Sequence, residues 1–357
     1  MKEKGNIINL SKLKSKYDNN DMYSAICAYP NHISYSINYM ENWHPKNSYK
    51  RIRNILYTGM GGSAIGGDFM LSLADKFCKI PIVVNRSYKL PNWVSKETLV
   101  IVSSYSGETE ETLSAFKIAI ETGAKIVCLG TGGKLFKLAE KHNLDTIKIK
   151  DGVQPRSAIG FFITLNLILL EKINIVSENI IKKLFLKSLK LLTDKSTEYS
   201  KFDVESLPFK LAKQIHNKFP IIYASEGWQT ICALRLRAQL AENSKMLSSH
   251  FSFPEQNHNE IEGWTNDKKL KDFVICWIKD ISDHNRIKKR FNHSMKLLNK
   301  FSSDQITIEI EGNSRIERAL HLVHLIDWIS YYSALLNEKN PSSINQITEL
   351  KKIISNN

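Results

Sequence analysis

The sequence predicts an α/β protein made of two successive parallel-sheet halves, and three observations lead there. Short apolar runs recur at intervals of about 20–30 residues through the first half, with helical stretches between several of them, the pattern of buried parallel strands joined by crossover helices. The alternation begins again after a lysine-rich connector. Glycine- and hydroxyl-rich turns follow two of the early runs, where open sheets of this class bind ligands.

Residues 1–50 carry two helix-like patterns: Tyr23, Ile26 and Tyr29, then Ile33, Ile37 and Met40, with Pro30 between them. The predicted strands of the first half are Ile55-Leu56-Tyr57, Ile82-Val83-Val84, Leu99-Val100-Ile101-Val102, Ile126-Val127-Cys128-Leu129 and Thr146-Ile147-Lys148-Ile149. A helix from about Arg156 to Lys172 closes this half; its apolar core, Ile159 to Leu170, contains Thr164 and Asn166 and is too short to span a bilayer. Residues 173–218 read as a helical connector. Strands are then expected at Phe219–Tyr223, Phe273–Trp277 and Ile306–Ile310, followed by a long helix from about Arg315 to Leu336. The similar halves suggest a duplicated unit. The boundaries read as a helical lead-in over 1–30, a first domain over 31–180, and a connector helix, second domain and C-terminal helix over 181–357.

Hydrophobic residues make up 42% of the 357 residues and charged ones 24%, the composition of a globular protein with a core in each half. The start, MKEKGNIINLSKLKSKYDNND, lacks an apolar stretch and a small-residue cleavage site, so a cytoplasmic protein is expected, without membrane partners. Cysteines 27, 78, 128, 232 and 276 are odd in number and scattered, which fits reduced thiols. The net charge of +14 is spread along the chain and not gathered with aromatics, so nucleic acid is not the expected partner. The same positive field would concentrate a small anionic substrate.

The first strand runs into Gly59-Met60-Gly61-Gly62-Ser63-Ala64-Ile65-Gly66-Gly67-Asp68 and a helix. Glycines let the backbone approach a ligand, and helix-start N–H groups with the Ser63 hydroxyl suit an anion. No Gly-Lys-Ser/Thr follows, which excludes a Walker loop. Gly59-x-Gly61-x-x-Ala64 nearly fits a dinucleotide fingerprint, yet the second strand ends in Asn85-Arg86 where an acid would be needed for the ribose. After the third strand comes Ser103-Ser104-Tyr105-Ser106-Gly107-Glu108-Thr109, whose hydroxyls at Ser104, Ser106 and Thr109 exceed what one helix cap uses. A cup for a phosphomonoester explains them better, with Gln154-Pro155-Arg156-Ser157 as its charged lid. The segment Arg237–Trp264 brings Glu242, Glu255, His258, Glu260 and Glu262 together with Phe251, Phe253 and Trp264, acid–base groups beside candidate pocket walls. No His/Asp/Glu cluster has metal-ligand spacing, so chemistry without metal or cofactor is expected.

These motifs, with Glu242-Asn243-x-Lys245 and Pro254-Glu255-x-Asn257-His258-Asn259-Glu260, resemble the bifunctional phosphoglucose/phosphomannose isomerases, a branch of the phosphoglucose isomerase superfamily built from two sugar isomerase (SIS) domains. The resemblance covers nearly the whole chain from about residue 30. It implies interconversion of glucose 6-phosphate and mannose 6-phosphate with fructose 6-phosphate through a cis-enediol. It implies phosphate binding by Gly62, Ser63, Ser104, Ser106 and Thr109, enediolate stabilisation by Arg156, proton shuttling by Glu242 and ring opening by His258. In the superfamily that histidine comes from the neighbouring subunit, which implies a homodimer with a shared active site. The ending Asn340-Pro341-Ser342-Ser343-Ile344 with Lys351-Lys352 is similar to the family's Asp-Pro-Thr-Pro-Val…Leu-Lys. Lys351 would then assist ring opening, and Ser342 would take the place of a threonine linked to reaction of both C2 epimers. From the residues alone, Glu242 pairing with Lys245 on a helix surface and a solvated Lys351-Lys352 face stay open. A single-specificity phosphoglucose isomerase or another SIS-type sugar-phosphate isomerase, and a non-catalytic sugar-phosphate sensor, are the rival readings.

Overall fold

The computed structural model of the chain describes residues 9–265, 268–301 and 304–355. Helices α1 (Leu10–Tyr17), α2 (Met22–Cys27) and α3 (Tyr29–Asn42) come first. Pro30 lies in the first turn of α3, where its missing N–H would have had no helical partner. There follow β1 (Asn54–Thr58), α4 (Gly61–Ala74), β2 (Ile82–Asn85), β3 (Thr98–Ser103), α5 (Glu110–Glu121), β4 (Lys125–Gly130), α6 (Gly133–Lys141), β5 (Asp145–Lys148) and α7 (Ile159–Lys172). The five strands are parallel in the order β2-β1-β3-β4-β5, and β3 is buried along its whole length. Leu56, Val100, Val102, Ile126 and Cys128 from the strands pack against Phe116 and Ala119 of α5 and Leu135 and Ala139 of α6. On α7 every residue from Ile159 to Glu171 is buried, and it packs against α3 and α4. A helix apolar on all sides belongs inside a protein, and among the described residues no helix is long and apolar enough to cross a membrane.

The second alternation contains α8 (Ile180–Tyr199), α9 (Leu207–Ile215), β6 (Phe219–Ser225), α10 (Trp228–Gln239), β7 (Ser249–Phe253), β8 (Phe273–Ile278), α11 (Asn285–Leu298), β9 (Gln305–Ile308), α12 (Arg315–Leu336) and α13 (Asn345–Ser355). Its four parallel strands lie in the order β7-β6-β8-β9. This repeats the order β2-β1-β3-β4 of the first sheet, so both sheets reverse direction after their first strand. The chain forms two compact units. One comprises Ala28–Thr193 with Gly312–Leu320, and the other the described residues up to Cys27, Asp194–Glu311 and the residues from His321 onward. The N-terminal helices α1 and α2 thus group with the second sheet. All five cysteines are free thiols.

The stretch read as one acid-rich loop, Arg237–Trp264, is more ordered than its composition suggests. It holds the end of α10, a π-helical turn over Leu240–Ser244, the strand β7 and two 3-10 turns, Glu255–His258 and Glu260–Gly263. Phe253 and Trp264, two of the aromatics read as candidate pocket walls, are core residues packed with Tyr223, Trp277 and Phe291. Burying such large aromatic area stabilises the unit more than lining a wet cleft would.

Candidate active site

In the first unit the chain steps from β1 to β2 on one side and from β3 to β4 on the other, so the topological switch point lies between β1 and β3. Crevices beyond the carboxyl ends of strands at such a point are where α/β sheets hold ligands. Both hydroxyl-rich turns leave from these two strands. Gly61, at φ +51, turns the chain from β1 into α4. The backbone N–H of Tyr105 donates to Ser63 Oγ at 3.2 Å, tying the first turn to the second. Ser104 Oγ lies 2.8 Å from Thr109 Oγ1 and accepts from the Gly107 N–H at 3.1 Å. Thr109 is the N-cap of α5, but its side chain does not cap the helix; it faces Ser104 instead. Ser106 is exposed, and its Oγ accepts from the Glu108 N–H at 3.2 Å. Gly107, at φ +70, packs its backbone against Gly132, leaving no room for a side chain.

Arg156 sits in the turn before α7 with 5% of its surface exposed. Gly62 faces this turn: a Cβ on Gly62 would lie 3.1 Å from the Pro155 carbonyl oxygen and 3.6 Å from Arg156 Cα. Tyr105 anchors the preceding loop, donating its hydroxyl to the Val153 carbonyl at 2.7 Å. Gly62, Ser63, Ser104, Ser106, Thr109 and Arg156 therefore belong to one neighbourhood of a single unit, a set of hydroxyls and a guanidinium suited to a phosphate ester. The end of β2 offers no acid for a ribose. Asn85 donates to Thr58 Oγ1 and to the Ser87 and Lys89 carbonyls, while Arg86 pairs with Asp68. Burial raises the Asp68 carboxyl, and Arg86 opposes that rise.

Glu242, His258, Ser342 and Lys351 all lie in the second unit. Glu242 is half-buried on the π-helical turn, a local distortion often found at functional sites. That turn is braced from α12. Asn243 Nδ2 donates to Ser330 Oγ at 2.9 Å, and Ser244 Oγ to the Ser330 carbonyl at 2.7 Å. One turn earlier Arg235 Nη2 meets both Asp327 oxygens at 2.6 and 2.8 Å, and Gln239 Nε2 adds a third bond to Asp327 at 2.8 Å.

His258 is exposed and has no hydrogen-bond partner among the described residues. The loop beneath it is fastened. Glu260 accepts from Tyr223 at 2.6 Å, from Gln256 at 2.5 Å and from Trp264 at 3.2 Å, and Asn257 accepts from Arg290 at 3.1 Å. Burial and then the Glu260 carboxylate push the Tyr223 phenol far above its ordinary range. Glu260, one of several spare acids by sequence, is thus the anchor of the His258 loop. Its only sequence signal was its place in the motif. His250 lies on β7, where burial and then Arg237 hold its imidazole below the ordinary value. Ser342 is 7% exposed, and its Oγ is buried with no hydrogen-bond partner among the described residues. Lys351 and Lys352 are both exposed on α13. Among the described residues no group of three or more His, Cys, Asp and Glu side chains is arranged to hold a metal ion.

Comparison with known proteins bears on the fold and the family. Residues 205–354 match the family described as bacterial phospho-glucose isomerase C-terminal SIS domain. The bifunctional phosphoglucose/phosphomannose isomerase of Caldicellulosiruptor bescii is 36% identical over 333 residues, covering 92% of this chain and 98% of that protein. The protein of the same name from Aquifex aeolicus is 35% identical over 306 residues, covering 84% of this chain and 90% of that one. Among solved structures, the C-terminal domain of glucosamine-fructose-6-phosphate aminotransferase from Francisella tularensis superposes with a TM-score of 0.72 at 15% identity, over 90% of this chain and 98% of that one, a likeness of fold. With its two parallel sheets and near full-length identity to these relatives, the chain belongs to the family of bifunctional phosphoglucose/phosphomannose isomerases, built from two SIS domains.

Proposed function

We propose that this chain is an aldose–ketose isomerase interconverting glucose 6-phosphate and mannose 6-phosphate with fructose 6-phosphate. The observation that carries the reading is the hydroxyl cup at the β1/β3 switch point, next to the buried Arg156, in a member of this family. The phosphate is held by Ser63, Ser104, Ser106 and Thr109 with the backbone around Gly62. Holding it anchors the substrate by one end, which converts a random encounter into an oriented one. His258 and Lys351 open the sugar ring by moving a proton onto the ring oxygen and off the anomeric hydroxyl. Glu242 then removes the proton from C2 of the open-chain aldose, electrons shift to O1, and the enediolate forms. Arg156 stabilises that negative charge. A proton passes from O2 to O1, the C2 carbonyl forms, and the same Glu242 carboxyl returns its proton to C1, giving the ketose. Abstraction from either C2 epimer leads to one enediolate, and Ser342 is the residue assigned to accommodating both.

The working unit is a homodimer. Supporting this are the exposed His258, whose side chain makes no hydrogen bond among the described residues, and an exposed apolar surface on α13, formed by Ile347, Leu350, Ile353 and Ile354. The cytoplasm is the compartment that suits a sugar-phosphate substrate. Production of fructose 6-phosphate from each aldose, followed in a coupled assay, tests the reading. Turnover of both epimers is expected, glucose 6-phosphate alone would reduce the activity to a single-specificity isomerase, and turnover of neither would refute it. Mixing His258→Ala with Glu242→Gln protein tests the shared site. Recovery of activity above either variant is expected, and none is recovered if each site draws both residues from its own chain.

A further inference from the structure

The motif Glu242-Asn243-x-Lys245 contains a residue that the reaction as derived does not use. Lys245 ends the π-helical turn in the left-handed conformation, at φ 56 and ψ 38, with its N–H donating to the Leu240 carbonyl. This backbone shape is unfavourable for a side chain other than glycine or asparagine. It folds the lysine back over its own turn. The ammonium donates to the Glu242 carbonyl at 2.7 Å, to the Asn340 carbonyl at 2.8 Å and to the Ser343 carbonyl at 2.9 Å, with the Asn243 carbonyl at 3.4 Å. Asn340 and Ser343 flank Ser342, whose own N–H donates to Asn340 Oδ1 at 2.8 Å. The two ends of the Ser342 loop and the backbone of Glu242 therefore share one cation.

We propose that Lys245 is a positioning residue that fixes the Glu242 carboxylate and the Ser342 loop relative to each other, so that proton transfer and the balance between C2 epimers are set together. The inference rests on the assignment of Glu242 as the base and Ser342 as the epimer residue. A lysine suits the task because its compact charge donates three hydrogen bonds to converging carbonyls, and charge-assisted bonds of this kind are the stronger ones. Neutral side chains cannot replace it. An arginine keeps the charge but spreads it over a planar fork that fits three converging oxygens less well. The side chain is exposed, so its removal opens no cavity in the core.

The test uses the full-length enzyme with Lys245→Met, Lys245→Gln and Lys245→Arg, measuring kcat and KM on both aldose 6-phosphates beside thermal unfolding. Since small misplacements of a catalytic group are costly, the two neutral variants are expected to lose about tenfold in kcat with KM within roughly threefold of the parent. Their ratio of kcat/KM for glucose over mannose 6-phosphate is expected to move by about threefold or more, in the range that modest contact changes produce. Lys245→Arg is expected to regain part of kcat. Unchanged kcat and epimer ratio in either folded neutral variant would overturn the assignment. So would an arginine variant no better than the neutral ones, or a failure of both neutral variants to fold, since either would make Lys245 a structural brace. Glu242→Gln assayed in parallel separates the two levels: if it keeps full turnover, the identity of the base is wrong, whatever Lys245 does.

Discussion

Replacing Gly107 with alanine tests the phosphate cup through its backbone. An alanine Cβ at this position would lie 1.9 Å from the Gly132 carbonyl oxygen, 2.8 Å from its carbon and 3.1 Å from Gly133 Cα. All three are backbone atoms, so no side-chain rotation relieves the overlap. Ordinary contact begins at 3.4 Å, and one of the two turns must therefore retreat by about 1.5 Å. The retreat pulls on the bond from the Leu135 N–H to the Gly107 carbonyl, 3.0 Å long, and on the bond from the Gly107 N–H to Ser104 Oγ, 3.1 Å long. The left-handed backbone costs alanine about 1–2 kcal/mol, and each lost hydrogen bond about 1 kcal/mol, so Gly107→Ala should destabilise the protein by about 3–4 kcal/mol. Displacing Ser104, Ser106 and Thr109 should also weaken fructose 6-phosphate binding by about tenfold or more, because phosphate contacts depend on fixed donors. Urea denaturation reads the first quantity and isothermal titration calorimetry the second. A variant within about 1 kcal/mol of the parent and with parental affinity would refute the packing argument and the cup together.

Two further expectations concern stability. Arg235 and Asp327 are 1% and 3% exposed, so Asp327→Ala removes the carboxylate that meets a buried guanidinium and should cost about 3–5 kcal/mol by urea denaturation, whereas Arg235→Met combined with Asp327→Leu should recover most of it; an equal loss in single and double variants would contradict this. Burial and then Lys150 push the His32 imidazole down to about 4 from 6.5, and it stacks on Phe161. The folded state therefore refuses a proton that the unfolded state takes up below pH 6.5, so stability should fall as the pH drops from 6.5 toward 4, by at most about 3 kcal/mol. His32→Leu should flatten that part of the thermal-unfolding profile, and an unchanged slope would show that other groups carry the acid sensitivity.

Most strands were legible because parallel strands covered on both faces must be apolar, and runs such as Leu99–Val102 have no other reading of that length. β7 was not: Ser249-His250-Phe251-Ser252-Phe253 is an edge strand with only Phe253 fully buried, so it lacks an apolar run. That the glycine and hydroxyl turns follow β1 and β3 was legible for a related reason, since these residues are local in sequence. What bears on Glu242 was not. A π-helical turn leaves no signature in residue types, and the Lys245 contacts to Asn340 and Ser343 join segments about a hundred residues apart. Glu260 stood in the motif, but its partners Tyr223, Gln256 and Trp264 are set around it only by the tertiary fold. Grouping of α1 and α2 with the second sheet is likewise a property of packing, which adjacency along the chain does not reveal.

The mechanism depends on Glu242 being the base that removes and returns protons at C1 and C2. Incubating fructose 6-phosphate with the enzyme in deuterium oxide and following deuterium entry at C1 by proton NMR observes that step without a coupling enzyme. The parent protein is expected to exchange the C1 proton during turnover, and Glu242→Gln to show no exchange while still binding the sugar phosphate. Exchange at the parental rate in Glu242→Gln would contradict the account.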